Sequence, residues 1–351
     1  MRRYATPRPG LRRVGPYDSP QVEVAARLNT NECPVPLPEA FSDELAAAVR
    51  ELPLNRYPDG EMRELREGIA ARTGHDVEGV WTANGSNEIL TQLLLAYGGP
   101  GRRAALFEPT YLLHHRLCWL TQTGIAERRL DPPFEIDDGA VAWAAAEGAD
   151  VVFVCSPNNP TGNAQPPDAI RSLAAGSDAL VIVDEAYVEF GGESALPLVR
   201  QHPNVAAVRT FSKAFALAGA RVGYVLAAPE VVEDLRRIRL PYHLSALTQV
   251  AGLIALRHAD AAEAGLDAIR TERDRIARAL STIEGATVFP SRANFVLFRP
   301  PGDAREVWQG LLDRGVLVRD LTTIVPNALR VTAGTTHEVD LFLKALEEVL
   351  A

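Results

Sequence analysis

Residues 150–156, DVVFVCS, and 179–187, ALVIVDEAY, are unbroken apolar runs that each end in polar residues. A strand with one wet face alternates apolar and polar side chains, whereas a run apolar at every position fits a strand covered on both faces. Helices on both sides of a parallel sheet provide that cover. Outward from these runs, strands are expected at 79–83, 104–107, 125–130, 205–210 and 222–227. Helical periodicity lies between them at 87–97, 111–121, 139–147 and 167–175. The alternation predicts an α/β fold with a mostly parallel sheet.

Beyond Pro229 the pattern changes. Helices are expected at 230–239, 245–258, 262–283, 303–313 and 337–350, with short strands at 286–289, 294–298, 316–319 and 328–332. Helices are also expected at 38–51 and 61–73, and residues 1–36 are Pro-rich and read as an extended arm. The expected division is an arm, 1–36, that joins a small α+β domain, 246–351, and a large domain, 37–245.

The chain has 351 residues, 47% hydrophobic and 23% charged, with a formal charge of −9. That balance suits a globular core and argues against a nucleic-acid partner, which favours basic surfaces. No run approaches the ~20 apolar residues of a membrane span, and the arginine-rich start lacks an apolar segment behind it. Cys33, Cys118 and Cys155 are far apart and odd in number, which suggests a reducing, cytoplasmic setting.

Among 36 basic residues only two are lysines, Lys344 and Lys213. Lys344 lies in an amphipathic terminal stretch. Lys213 lies in RTFSKAFALAGARVGY, 209–224, an apolar and small-residue setting. Arginine never deprotonates, so only a lysine serves where a neutral amine must attack a carbonyl. Ligands of open α/β sheets bind at the carboxyl ends of strands. Four such ends carry polar clusters: Asn84-Gly85-Ser86-Asn87, Ser156 to Gly162, Asp184 to Tyr187, and Phe211-Ser212-Lys213. Together they imply one shared site. Ser86 and Asn87 open a helix, whose free N–H groups suit a phosphate. Asp184 ends an apolar strand, where a carboxylate needs a partner: a cation, or the backbone of a turn or helix that it caps. No G-x-G-x-x-G follows an early strand, as a dinucleotide site requires. His114 and His115 are adjacent and share no helix face for a metal, so they read as ordinary polar residues.

Spacing and order resemble the fold-type-I aminotransferases of class I/II. Within them, the histidinol-phosphate aminotransferase subgroup is similar over nearly the whole chain. The motifs are LNTNE (28–32), NRYPD (55–59), NGSNE (84–88), EPTY (108–111), CSPNNPTG (155–162), VDEAYVEF (183–190), RTFSKAFALAG (209–219), NFVLF (294–298), VLVRD (316–320) and LRVTAGT (329–335). The resemblance implies a pyridoxal 5'-phosphate enzyme, with Lys213 holding the cofactor and shuttling a proton. It implies that Asp184 pairs with the ring nitrogen, Asn159 and Tyr187 with the ring oxygen, and that Tyr111 stacks on the ring. Ser86, Asn87, Thr210, Ser212 and Arg221 would grip the phosphate, and Tyr57 would reach it from a partner subunit, which makes a homodimer. Arg330 matches a carboxylate-binding arginine and Arg319 a phosphate-binding one. Tyr17 and Asn29 are expected to close over the site.

The implied reaction is transamination between L-histidinol phosphate and 2-oxoglutarate. Two segments depart from the subgroup: residues 112–116, and Pro241-Tyr242-His243 where the subgroup has Pro-Tyr-Asn. They lie on the expected substrate side, so His243 is a candidate substrate contact. Alternatives are an aminotransferase for an aromatic or other amino acid and a phospho-amino-acid decarboxylase. A regulator built on this fold is disfavoured, because only a short Pro-rich stretch precedes LNTNE.

Overall fold

A computed structural model describes residues 22–351 and, ahead of them, residues 5, 8, 10, 11, 15 and 20. Tyr17 lies outside the described residues. In chain order the elements are β1 (Ala26–Arg27), α1 (Glu39–Glu51), α2 (Arg63–Thr73), β2 (Val80–Asn84), α3 (Ser86–Tyr97), β3 (Arg103–Glu108), α4 (Leu112–Thr121), β4 (Gly124–Arg129) and α5 (Asp138–Ala146). Then follow β5 (Val151–Cys155), α6 (Pro167–Ala175), β6 (Leu180–Asp184), α7 (Leu196–Val199), β7 (Val205–Thr210), β8 (Val222–Leu226), α8 (Pro229–Ile238), α9 (Ala246–Arg257) and α10 (Ala259–Ser281). The chain ends with β9 (Thr287–Val288), β10 (Phe295–Arg299), α11 (Ala304–Asp313), β11 (Val316–Leu317), β12 (Arg319–Asp320), β13 (Leu329–Thr332) and α12 (Thr336–Leu350).

Seven strands form the main sheet in the order β2-β8-β7-β6-β5-β3-β4. β5, β6 and β8 are buried at every residue, as their apolar runs require. β8 alone runs against its neighbours. Its reversal has a functional consequence. It brings the start of β8, at Val222, level with Asn84 and Gly223 level with Thr210, so Arg221 joins the edge where the carboxyl ends of β2, β7, β6, β5 and β3 gather.

A second sheet, β12-β13-β10-β9, is antiparallel, and β1 pairs in parallel with β11. The strand expected at 316–319 is therefore two short strands, which serve different sheets. Short apolar runs do not specify their partners; packing does. The four-residue α7 follows no legible period and was not expected. α12 starts with a reciprocal capping box between Thr335 and Glu338, which satisfies donors at the helix start. Among the described residues, no helix is long and apolar enough to cross a membrane.

Candidate active site

The gathered strand ends wall a cavity of about 230 Å³. The arm closes one side with Asn29 to Glu32, and the small antiparallel sheet supplies Arg319 and Arg330.

At one end lies an anion cradle. α3 begins at Ser86, so unpaired N–H groups and the positive end of the helix dipole face the cavity there. Space around it admits no side chain. A Cβ on Gly85 would lie 2.3 Å from an Arg221 nitrogen, and one on Gly223 would lie 2.2 Å from the Gly85 carbonyl carbon and 2.3 Å from Ser86 N. Gly85 also has φ +77°, in the region that favours glycine. Arg221 donates to Ser212 Oγ at 3.1 Å, and Ser212 N donates to Thr210 Oγ1 at 3.1 Å. Ser86, Asn87, Thr210, Ser212 and Arg221 thus meet at one end of the cavity. Polar and cationic donors around a glycine-lined helix start suit a phosphate.

Asp184 is 3% exposed at the end of β6. Its Oδ1 accepts from Ala186 N at 3.2 Å, and its Oδ2 lies 3.3 Å from His114 Nε2. His114 is wholly buried, its ring stacked on Phe153 at 4.5 Å and edge-on to Tyr111 at 5.7 Å. Its role was not expected from the sequence. Position three after Tyr111 on a helix points inward over the sheet, but nothing local says that Asp184 lies beneath. His115 faces elsewhere: its Nε2 is 2.6 Å from Glu108 Oε1, and this contact raises its pKa.

Lys213 Nζ donates to the Thr30 carbonyl at 3.0 Å. Burial, then the nearby Arg330 charge, lowers its pKa from 10.5 to about 7, with Glu32 opposing. Desolvation penalises the ammonium and leaves the neutral amine accessible near neutral pH. Asn159 Nδ2 lies 3.4 Å from the Tyr187 hydroxyl, and Asn159 Oδ1 accepts from Arg330 at 2.5 Å. Arg330 also donates to the Asn29 carbonyl at 2.9 Å. Arg319 and Arg330 stand opposite each other on β12 and β13, so both side chains leave the same face of the sheet. Both line the cavity, as do Tyr111 and Asn29.

Two expected residues do not line the cavity. His243 stacks on Trp81 at 5.5 Å, and its Nε2 lies 2.9 Å from the Thr82 carbonyl. With that seat against β2, His243 is not among the residues that line the cavity. Tyr57 is 80% exposed and stacks on Tyr242 at 4.4 Å. Thr30, Asn31, Thr110, Leu321 and Ile324 also line the cavity. Their residue types carry no functional signal in the sequence.

A buried amine, a strand-end carboxylate and an anion cradle around one cavity define an enzyme that handles amino groups through a bound phosphate-bearing cofactor. The family model described as aminotransferase class I and II matches residues 25–346, and the chain belongs to that family of pyridoxal-phosphate-dependent enzymes. Over nearly its whole length it is similar to histidinol-phosphate aminotransferases. It is 48% identical to the one from Streptomyces avermitilis over 353 residues, 97% of this chain and 95% of that protein. It is 46% identical to the one from Frankia casuarinae over 359 residues, 98% of this chain and 90% of that protein. The crystal structure of histidinol-phosphate aminotransferase from Sinorhizobium meliloti, in complex with pyridoxal-5'-phosphate, superposes with a TM-score of 0.84 at 26% identity. The match covers 93% of this chain and 91% of that one.

Proposed function

We propose that this chain transfers the amino group of L-histidinol phosphate to 2-oxoglutarate, giving imidazole acetol phosphate and glutamate, in the biosynthesis of histidine. The observation that carries the reading is the pair Arg319 and Arg330, side by side over a cavity that also holds Lys213. Two guanidiniums beside the reacting centre suit two anions, the phosphate of the amine and a carboxylate of glutamate or 2-oxoglutarate. The names and high identity of the relatives support the same substrate.

The residues fit pyridoxal phosphate. The glycine-lined cradle would take the phosphate, and Asp184, held by His114, would pair with the ring nitrogen. Tyr111 would cover the ring, and Asn159 and Tyr187 would hydrogen-bond its oxygen. When bound, the cofactor supplies an electron sink that acidifies the substrate α-carbon. Lys213, whose pKa is lowered to about 7, would hold the cofactor until the incoming substrate amine displaces it, and the freed amine would then move the proton from the substrate α-carbon. Asp184, at the end of β6, would pair with the ring nitrogen of the cofactor. Arg319 and Arg330 orient the substrate so that the bond to be broken stands over the Lys213 amine.

In the same reading the enzyme is a cytoplasmic homodimer with shared sites. Residues 37–245 bind the cofactor, and 246–351 with the arm close over it. The exposed Tyr57, stacked on Tyr242 with Leu54 and Leu240 also exposed, supports a partner at this face. Tyr57 then serves the partner's phosphate.

The test is a half-reaction followed by absorbance. The loaded enzyme is mixed separately with L-histidinol phosphate, glutamate, phenylalanine and histidine. L-Histidinol phosphate should bleach the visible band at the lowest concentration among the amines, and glutamate should bleach it as the donor of the reverse half. An inert L-histidinol phosphate beside an active phenylalanine would reject the substrate and keep the cofactor. Turnover without 2-oxoglutarate, with release of carbon dioxide, would reject transamination.

A further inference from the structure

LNTNE carries two asparagines, and the second, Asn31, is buried beside Tyr187. It is 1% exposed, and its φ of 55° is in the left-handed region. Its backbone N–H donates to Thr332 Oγ1 at 3.1 Å. A threonine hydroxyl has one proton. With its oxygen accepting from Asn31 N, that proton goes to Asn31 Oδ1, 3.0 Å away. The exchange fixes which way the amide faces. Oδ1 is held by Thr332, so Nδ2 faces the Tyr187 hydroxyl at 2.9 Å.

Asn159 is fixed in the same sense. Arginine only donates, so its contact with Asn159 Oδ1 turns the Asn159 Nδ2 toward Tyr187, 3.4 Å away. The phenol oxygen therefore faces two amide donors. Its own proton has no acceptor among the described residues that bond it, and Tyr187 lines the cavity. A hydroxyl that accepts is a stronger donor in turn. The titratable and charged groups around it are Arg330, Cys155, Asp184 and Lys213. None of them sets the direction of its proton as the two amides do.

We infer that Thr332 and Asn31 are positioning residues that aim the Tyr187 hydroxyl proton into the cavity, at the ring oxygen of the cofactor. The inference rests on the pyridoxal phosphate reading. Its consequence is electrostatic. A donor at the ring oxygen helps most when the neighbouring imine nitrogen carries no proton, so it lowers the pH at which that nitrogen deprotonates. Loss of the donor raises that pH.

The experiment titrates the visible band of the loaded enzyme against pH in wild type, Y187F, T332V, T332S and N31D. Valine has the shape of threonine without its proton, so in T332V the Asn31 amide can reverse and take the phenol proton on Oδ1. The T332V midpoint should rise by about one pH unit, the worth of one charge-assisted hydrogen bond. It should move in the direction of Y187F, and T332S, with the hydroxyl restored, should return it to the wild-type value. N31D, an acceptor where the donor was, should also rise, which keeps the test open if T332V does not fold. A T332V midpoint within about 0.2 of wild type while Y187F moves overturns the inference. So does a T332S shift equal to that of T332V, because packing would then be the cause. A wild-type protein that forms no visible band with pyridoxal phosphate overturns the cofactor reading itself, and is told apart by that sample alone.

Discussion

The lowered pKa of Lys213 makes a kinetic prediction that the protein must meet before any substrate is present. An ordinary lysine, pKa 10.5, is neutral at pH 7 in roughly one molecule in 3000; a lysine at about 7 is neutral in about half. Burial supplies most of that change and Arg330 the next part. The neutral amine is the nucleophile, so protein stripped of cofactor should capture pyridoxal phosphate about a thousandfold faster at pH 7 than an exposed lysine would. The assay is stopped-flow absorbance across pH 5.5 to 10. The rate should climb about tenfold per pH unit in the acid limb and level near pH 7 to 8. Arg330→Met should move the bend to higher pH and Glu32→Gln to lower, because the two charges act in opposite senses. A rate that climbs without a bend to pH 9 or beyond would show that Lys213 is not desolvated as described. Stability has a matching sign. The folded pKa lies below the unfolded one, so between about pH 7 and 10.5 the unfolded chain binds more protons. The stripped protein should therefore gain stability as pH rises through that window, and Lys213→Met should remove the dependence.

Two further predictions concern the walls of the site. His114→Phe keeps a ring against Phe153 but removes the contact with Asp184; a hydrogen bond to a buried carboxylate is worth about 1.5–3 kcal/mol, so kcat should fall roughly 10- to 100-fold with weaker cofactor retention, and unchanged kcat would remove His114 from the machinery. Arg319→Ala should raise KM for the phosphorylated amine far more than for glutamate, measured by steady-state kinetics with each varied in turn, and equal effects would mean that Arg319 does not read the phosphate.

Much of the architecture was legible because its signals are local. Apolar runs at 150–156 and 179–187 suit strands covered on both faces, and β5 and β6 are buried throughout. Lys213 stood out by composition, one of two lysines in an arginine-rich chain and the one set among apolar and small residues, where a neutral amine is attainable. Glycines 85 and 223 are required by close backbone approach, although the sequence alone does not say to what.

Other features depended on distance in the chain. His114 reads as a polar helix residue until the sheet brings Asp184 beneath it, 70 positions away. His243 reads as a substrate contact until Trp81 claims its ring. Arg319 and Arg330 are eleven residues apart in sequence, and only the antiparallel register of β12 and β13 sets them side by side. The direction of the Tyr187 proton needs three segments at once, the arm, β13 and the end of β6. Sequence determines which residues are able to do chemistry, because that follows from side-chain type and local period. Tertiary structure alone decides which of them meet, in which protonation state and facing which way, because burial and hydrogen-bond direction belong to the assembled neighbourhood and not to any one segment.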